Sequence, residues 1–196
     1  MATTTADAAL ERLRDGNQRF TSESTTAEGR DGNRRRELAG GQSPFAILLS
    51  CADSRVAPEI AFDAGLGELF VVRVAGNIAD TAAVASIEYA VANLGAKLIV
   101  VMAHRSCGAV AAAVAGVEPT PALTDLLSRI RPAITDEHGD EPEVDAVAKA
   151  NARLQAESLV SSSDAIGQAV ASGNDEDCVR VVTAFYDIES GEVSFE

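Results

Sequence analysis

The 196-residue sequence predicts an α/β fold: a mainly parallel central sheet flanked by helices, with an N-terminal helical arm and a helical C-terminal half. Three observations predict it. Residues 45–50 (FAILLS), 68–74 (ELFVVRV), 97–103 (KLIVVMA) and 178–186 (CVRVVTAFY) are short runs rich in Val, Ile and Leu. They are apolar on both faces, as strands covered by helices on both sides must be. Between the second and third runs, Val84, Ile87, Ala90, Val91 and Leu94 recur at helical spacing, so a strand–helix–strand crossover is expected. Finally, residues 6–20 carry Leu10, Leu13, Asn17 and Phe20 near one helical face, which describes an amphipathic arm.

The remaining elements follow in order. Residues 29–41 are polar and glycine-punctuated, a connector into the core. The helix over 79–95 ends at Gly95, a C-cap residue type. Residues 107–116, 123–134 and 144–160 read as helices, and the acid-rich stretch 136–145 reads as a solvated loop. The ESG before EVSF turns the last strand back into a short hairpin. The length suits a single domain over 1–196, with 1–40 as arm and connector and 41–196 as the core.

Composition narrows the function classes. The formal net charge is −14, and only Lys97 and Lys149 among the 16 basic residues are lysines. Such a surface repels nucleic acid and anionic membrane, so neither is expected as a partner. Arg34-Arg35-Arg36 is a local exception that reads as a solvated helix start more readily than as a docking patch. Acid excess with few lysines suits a salty cytoplasm, and equally an acidic protein of ordinary habitat. No apolar stretch approaches a membrane span, and the first 20 residues lack a secretory pattern. Three cysteines make no disulfide framework; reduced thiols in a cytoplasmic protein are expected.

The chemistry gathers at two strand ends, where open α/β sheets build their sites. The first strand runs into Cys51-Ala52-Asp53-Ser54-Arg55, and the third into His104-Arg105-Ser106-Cys107. If those strands are neighbours, two thiols and one imidazole converge. Three such ligands with one open position describe a catalytic zinc site. A helix starting at Cys107 favours its thiolate. Asp53 and Arg55 point the same way if the segment stays extended, and the pair keeps Asp53 ionised, either to orient a metal-bound water or as an ordinary ion pair. Cys178, inside a strand, and His138, in the acidic loop, are expected to have no part in the site.

CADSR followed about fifty residues later by HRSCG resembles the C-x-D-x-R and H-x-x-C signature of the β-class carbonic anhydrases. The likeness extends over residues 40–116 and 178–193, in segments such as GELFVVRVAGNI and ASIEYAVANLGAKLIVVMAHRSCGAV. It implies one Zn2+ per chain on Cys51, His104 and Cys107, with Asp53 and Arg55 as a catalytic dyad in which Arg55 holds Asp53 off the metal. In a closed state Asp53 would become a fourth ligand. Gln42 and Gly108 would bind substrate. The implied reaction is the reversible hydration of CO2 to bicarbonate and a proton, by attack of zinc-bound hydroxide. The implied assembly is a homodimer or tetramer with the CO2 pocket at a subunit interface; the arm is a candidate to wrap a partner, with packing on its own chain the plainer reading.

The sequence departs from the family pattern at Val74, Ala103 and Arg105, and Arg105 bears on the electrostatics of the site's mouth. Without tryptophan, the family's bicarbonate regulatory pocket in its usual form is not expected. Carbon disulfide or carbonyl sulfide hydrolysis on the same scaffold, and a non-catalytic zinc or thiol protein, are the alternatives.

Overall fold

A computed structural model describes residues 4–117, 120–139, 141–171 and 178–196. Its centre is a five-stranded sheet in the order β2-β1-β3-β4-β5. β1 (Ala46–Ser50), β2 (Leu69–Arg73), β3 (Leu98–His104) and β4 (Arg180–Tyr186) run parallel. β5 (Val193–Phe195) pairs antiparallel with the end of β4, which makes the expected hairpin. Every residue of β1 and β3 is buried, so their unbroken apolar runs meet the requirement of two covered faces.

Alternate residues divide the core into two layers. Ile47, Leu49, Ile99 and Val101 face a layer built with α4 (Thr81–Tyr89), α5 (Gly108–Val114), α6 (Pro121–Ile130), α7 (Val144–Ser162) and α8 (Asp164–Ala171). Leu48, Val100 and Met102 face the other layer, where α1 (Ala6–Thr21) buries Ala9, Leu10 and Leu13. The arm's apolar face is thus used on its own chain, the plainer of the two readings that the sequence left open. Asn17 ties it further, donating to the carbonyls of Ala61 and Gly191 at 3.0 and 2.8 Å and accepting from Val193 N at 2.9 Å.

Several details differ from expectation. The connector holds a short exposed helix, α2 (Gly32–Glu37), capped by Asp31, and in this one respect expectation holds: the arginine triplet is a solvated helix. A further turn, α3 (Pro58–Ala61), follows β1. The helix expected over 79–95 is α-helical only to Tyr89 and then winds as a π-turn over Ala90–Leu94, ending at Gly95 with φ 70°. The loop over 136–145 includes a 3₁₀ turn at Asp136–His138. The sequence reading left α8 unassigned. Its start is carried by Ser163, which accepts from Ile166 N at 3.1 Å and donates to Glu88 at 2.6 Å.

The connector is anchored by a group that the sequence reading passed over. The Asp63 carboxylate is fully buried and accepts from Arg19 Nε (2.8 Å), Thr26 N (2.9 Å), Ala27 N (3.1 Å) and Arg30 Nη2 (3.3 Å). Burial alone would raise its pKa, but these donors outweigh it and hold the carboxyl well below its ordinary value. A depressed native pKa means that the contribution is full above the unfolded value of about 3.9 and is lost as pH falls below it. Asp63→Ala is expected to cost about 3 kcal/mol in urea unfolding at pH 7, with the difference from wild type shrinking in acid.

Gly16 makes the opposite point to helix propensity. A Cβ there would lie 2.0 Å from the Phe62 carbonyl oxygen. Gly16→Ala, normally a gain of about 1 kcal/mol in a helix, should instead lose about 2 kcal/mol through overpacking, measured by thermal unfolding.

Candidate metal centre

β1 and β3 are hydrogen-bonded neighbours in parallel register, with Ser50 beside Met102. Their carboxyl ends therefore deliver Cys51 and His104 side by side, and the turn after His104 brings Cys107 back to them. The two sulfurs are 3.9 Å apart, and the ligand atoms of Cys51, His104 and Cys107 all lie within 4.8 Å of one another. All three residues are buried.

The imidazole is oriented for a metal. Its Nδ1 lies 2.9 Å from the Arg105 carbonyl, which accepts the ring N–H and leaves the Nε2 lone pair free. Nε2 is buried and has no hydrogen-bond partner. An orphaned buried acceptor is costly, and a cation between it and two sulfurs removes that cost.

The thiols are primed as a pair. The Cys107 thiol beside Cys51 brings the Cys51 pKa down against the effect of burial, helped by His104 and by the Gly76 amide donating to Sγ at 3.3 Å. The same partnership, together with burial, pushes Cys107 up. The amides of Ala109 and Val110 at the start of α5 pull Cys107 down as expected of a helix start, but by less. A divalent cation taken up by two such thiols displaces their protons.

Asp53 and Arg55 do meet, by a route other than the extended segment expected. The chain turns here: Asp53 Oδ1 accepts from the backbone N–H of Arg55 at 2.9 Å, and Val56 N donates to Asp53 O at 3.0 Å. Arg55 Nε and Nη2 then grip Oδ1 and Oδ2 at 2.9 and 2.7 Å. That fork holds the Asp53 carboxyl well below the usual carboxylate range. Oδ2 stands 3.9 Å from His104 Nε2, beside the cluster.

Residues absent from the sequence reading build the surround. Arg73, at the end of β2, donates to the carbonyls of Cys51 (3.0 Å) and Asp53 (2.6 Å), fixing the backbone that carries both. Asn151 on α7 donates to Gly76 O at 2.8 Å, and Gln155 donates to Asn151 Oδ1 at 3.0 Å. Both α7 residues are polar and buried, a signal that only burial makes visible. Arg105 turns its guanidinium away from the cluster, to Glu189 (2.7 Å) and Asp187 (3.3 Å).

Gln42 and Gly108 stand differently. Gly108 is exposed at the first position of α5, and a Cβ there would meet nothing within 4 Å, so open space adjoins the cluster. Gln42 is exposed before the amino end of β1. The five residues of β1 put about 16 Å of strand between that end and the cluster. His138 accepts from Thr135 N at 3.2 Å in its 3₁₀ turn, and Cys178 is half-buried beside β4; neither joins the metal-holding group found among the described residues.

Comparison with known proteins agrees with this geometry. A family model described as carbonic anhydrase matches residues 46–193. Carbonic anhydrase 2 of Mycobacterium tuberculosis is 38% identical over 97% of this chain and 93% of its own length. A carbonic anhydrase of Mycolicibacterium smegmatis is 38% identical over 95% and 91%. Among solved structures, the beta-carbonic anhydrase CcaA superposes with a TM-score of 0.74 at 27% identity, covering 95% of this chain and 94% of that one. A structure from a study of two tetrameric beta-carbonic anhydrases of Sordaria macrospora gives 0.73 at 26%, covering 95% of each.

The donor set predicts a stoichiometry. Purified protein should carry about one divalent metal per chain by elemental analysis, and His104→Gln or Cys107→Ser should retain less than about a tenth of that, since a three-ligand site does not survive on two.

Proposed function

The chain belongs to the β-carbonic anhydrase family of enzymes, and from that premise we propose that it hydrates CO2 reversibly to bicarbonate and a proton, with Zn2+ on Cys51, His104 and Cys107. The observation that carries the reading is the Arg55 fork on Asp53: it keeps the carboxylate beside the cluster, 3.9 Å from His104 Nε2, where it would be held off a bound ion. When bound, zinc supplies the Lewis acidity that brings a water's pKa down from 15.7 towards neutrality.

The chain's own groups then do the rest. Cys51, His104 and Cys107 would hold the ion with three donors, a set that leaves one coordination place to a small molecule. Asp53, ionised and pinned, accepts a hydrogen bond from the attacking water and orients its lone pair towards CO2. Arg55 is the group that stops Asp53 from becoming a ligand itself. Arg73 holds the carbonyls of residues 51 and 53, so that the ligand and the carboxylate keep their spacing. Gly108, without a side chain, leaves the mouth of the site open to substrate and product. Two thiolates donate more charge than imidazoles do, so the ionisation that governs turnover is expected at about pH 8, above the value near 7 of histidine-rich sites.

The assembly belongs to the same reading. Gln42 lies at the far end of β1 from its own cluster, so it serves a substrate pocket only across an interface between two copies. A homodimer or tetramer is accordingly proposed. Among the described residues no helix is long and apolar enough to cross a membrane.

Stopped-flow CO2 hydration on zinc-assayed protein tests the reading. The rate should rise with pH through a single step near pH 8. Arg55→Ala should retain zinc yet lose about 10–100-fold at neutral pH, the range seen when a group supporting a metal site is removed. Zinc-loaded wild type with no turnover between pH 6.5 and 9 would sink it.

A further inference from the structure

The loop between the second and third members of the cluster, Arg105-Ser106, is held in a conformation that its sequence does not favour. Ser106 has φ 54°, the left-handed region that suits glycine. That conformation is what turns the chain sharply enough for His104, at the end of β3, and Cys107, at the start of α5, to face one point. Something outside the loop must hold it.

Asp145 does so. Its Oδ1 accepts from the Ser106 backbone N–H at 2.7 Å, a short charge-assisted bond from the first turn of α7 across 39 residues of sequence. Its Oδ2 lies 3.9 Å from Arg105 Nε. The carbonyl of the same Ser106 accepts from Arg55 Nη2 at 3.3 Å, and that nitrogen also grips Asp53 Oδ2 at 2.7 Å. Residue 106 is therefore clamped at both ends, by Asp145 on its amide and by Arg55 on its carbonyl. On the neighbouring residue, Arg105 is engaged by Asp187 and Glu189, and its own amide donates to Tyr186 O at 2.9 Å.

We propose that Asp145 is a positioning residue of the metal loop: by pinning the Ser106 amide it sets where Cys107 meets the metal and where the Ser106 carbonyl braces Arg55. This rests on the zinc reading above. Asp145 touches neither metal nor substrate. It acts through a single peptide unit shared by a ligand loop and the Asp53–Arg55 pair.

The test uses the intact zinc-loaded protein and measures the rate of zinc release to a colorimetric chelator. Asp145→Ala should load about one zinc per chain but release it roughly 10-fold faster or more. Asp145→Asn, which keeps an oxygen able to accept from Ser106 N, should restore most of the slow release. Glu143→Gln removes a charge from the same exposed helix end and should leave release unchanged. CO2 hydration by Asp145→Ala at matched zinc content should fall, with Asp145→Asn again close to wild type.

Release from Asp145→Ala at the wild-type rate overturns the proposal even if its melting temperature drops, because a purely structural role moves melting alone. Asn behaving as Ala also overturns it, since charge pairing with Arg105 would then be the cause. Wild-type protein that takes up no zinc would be a failure of the zinc reading itself, and is seen before any variant is compared.

Discussion

The parallel pairing of β1 with β3 is the constraint on which the rest of the structure depends. Both strands are buried along their whole length, so neither can shift register without moving its apolar side chains relative to two helical layers at once. Because they run parallel, their carboxyl ends emerge side by side, with Cys51 just past β1 and His104 the last residue of β3. The cluster is in this sense a product of core packing. The hydrophobic runs that a fold needs anyway place two of the three ligands within a few ångströms.

What the sheet cannot supply is the finer aim of each group, and here the helical layer takes over. The Gly76 amide donates to the Cys51 sulfur, Asn151 on α7 holds the Gly76 carbonyl, and Gln155 backs Asn151 one turn on. Arg73 reaches from β2 to the backbone of residues 51 and 53, and Asp145 reaches from α7 to Ser106. Asn151, Arg73 and Asp145 each fix a backbone atom in the connections beside the cluster. Buried polar networks of this kind are stabilising only when every member is satisfied. Three buried side-chain atoms among the described residues lack a partner, Ser50 Oγ, Asn77 Nδ2 and His104 Nε2, and the last is the one a metal would take up.

Charge is distributed with a similar division of labour. The chain carries a strong acid excess, yet the carboxylates that matter most are those with arginine partners: Asp53 with Arg55, Asp63 with Arg19 and Arg30, and Asp187 with Arg105. Arginine suits this use because its planar fork can make two directed bonds to one carboxylate, as Arg55 does. Arg55, Arg19, Arg30 and Arg105 are thus placed to hold an acid still.

The sequence alone determined the α/β class, the four apolar strand runs (of which β1 and β3 are buried throughout and β2 and β4 only in part), the terminal hairpin and the two motifs that supply Cys51, Asp53, Arg55, His104 and Cys107. It could do so because hydrophobic periodicity and short motifs are local properties of the chain. The tertiary structure decided what depends on contacts between distant residues. It seated the arm on its own sheet, made the Asp53–Arg55 pair in a turn rather than an extended segment, and brought in Arg73, Asn151 and Asp145 from 22, 75 and 39 residues away from their partners. A lone arginine or asparagine in a helix or strand carries no mark of such a role. The mark is a buried partner, and burial exists only once the chain has closed.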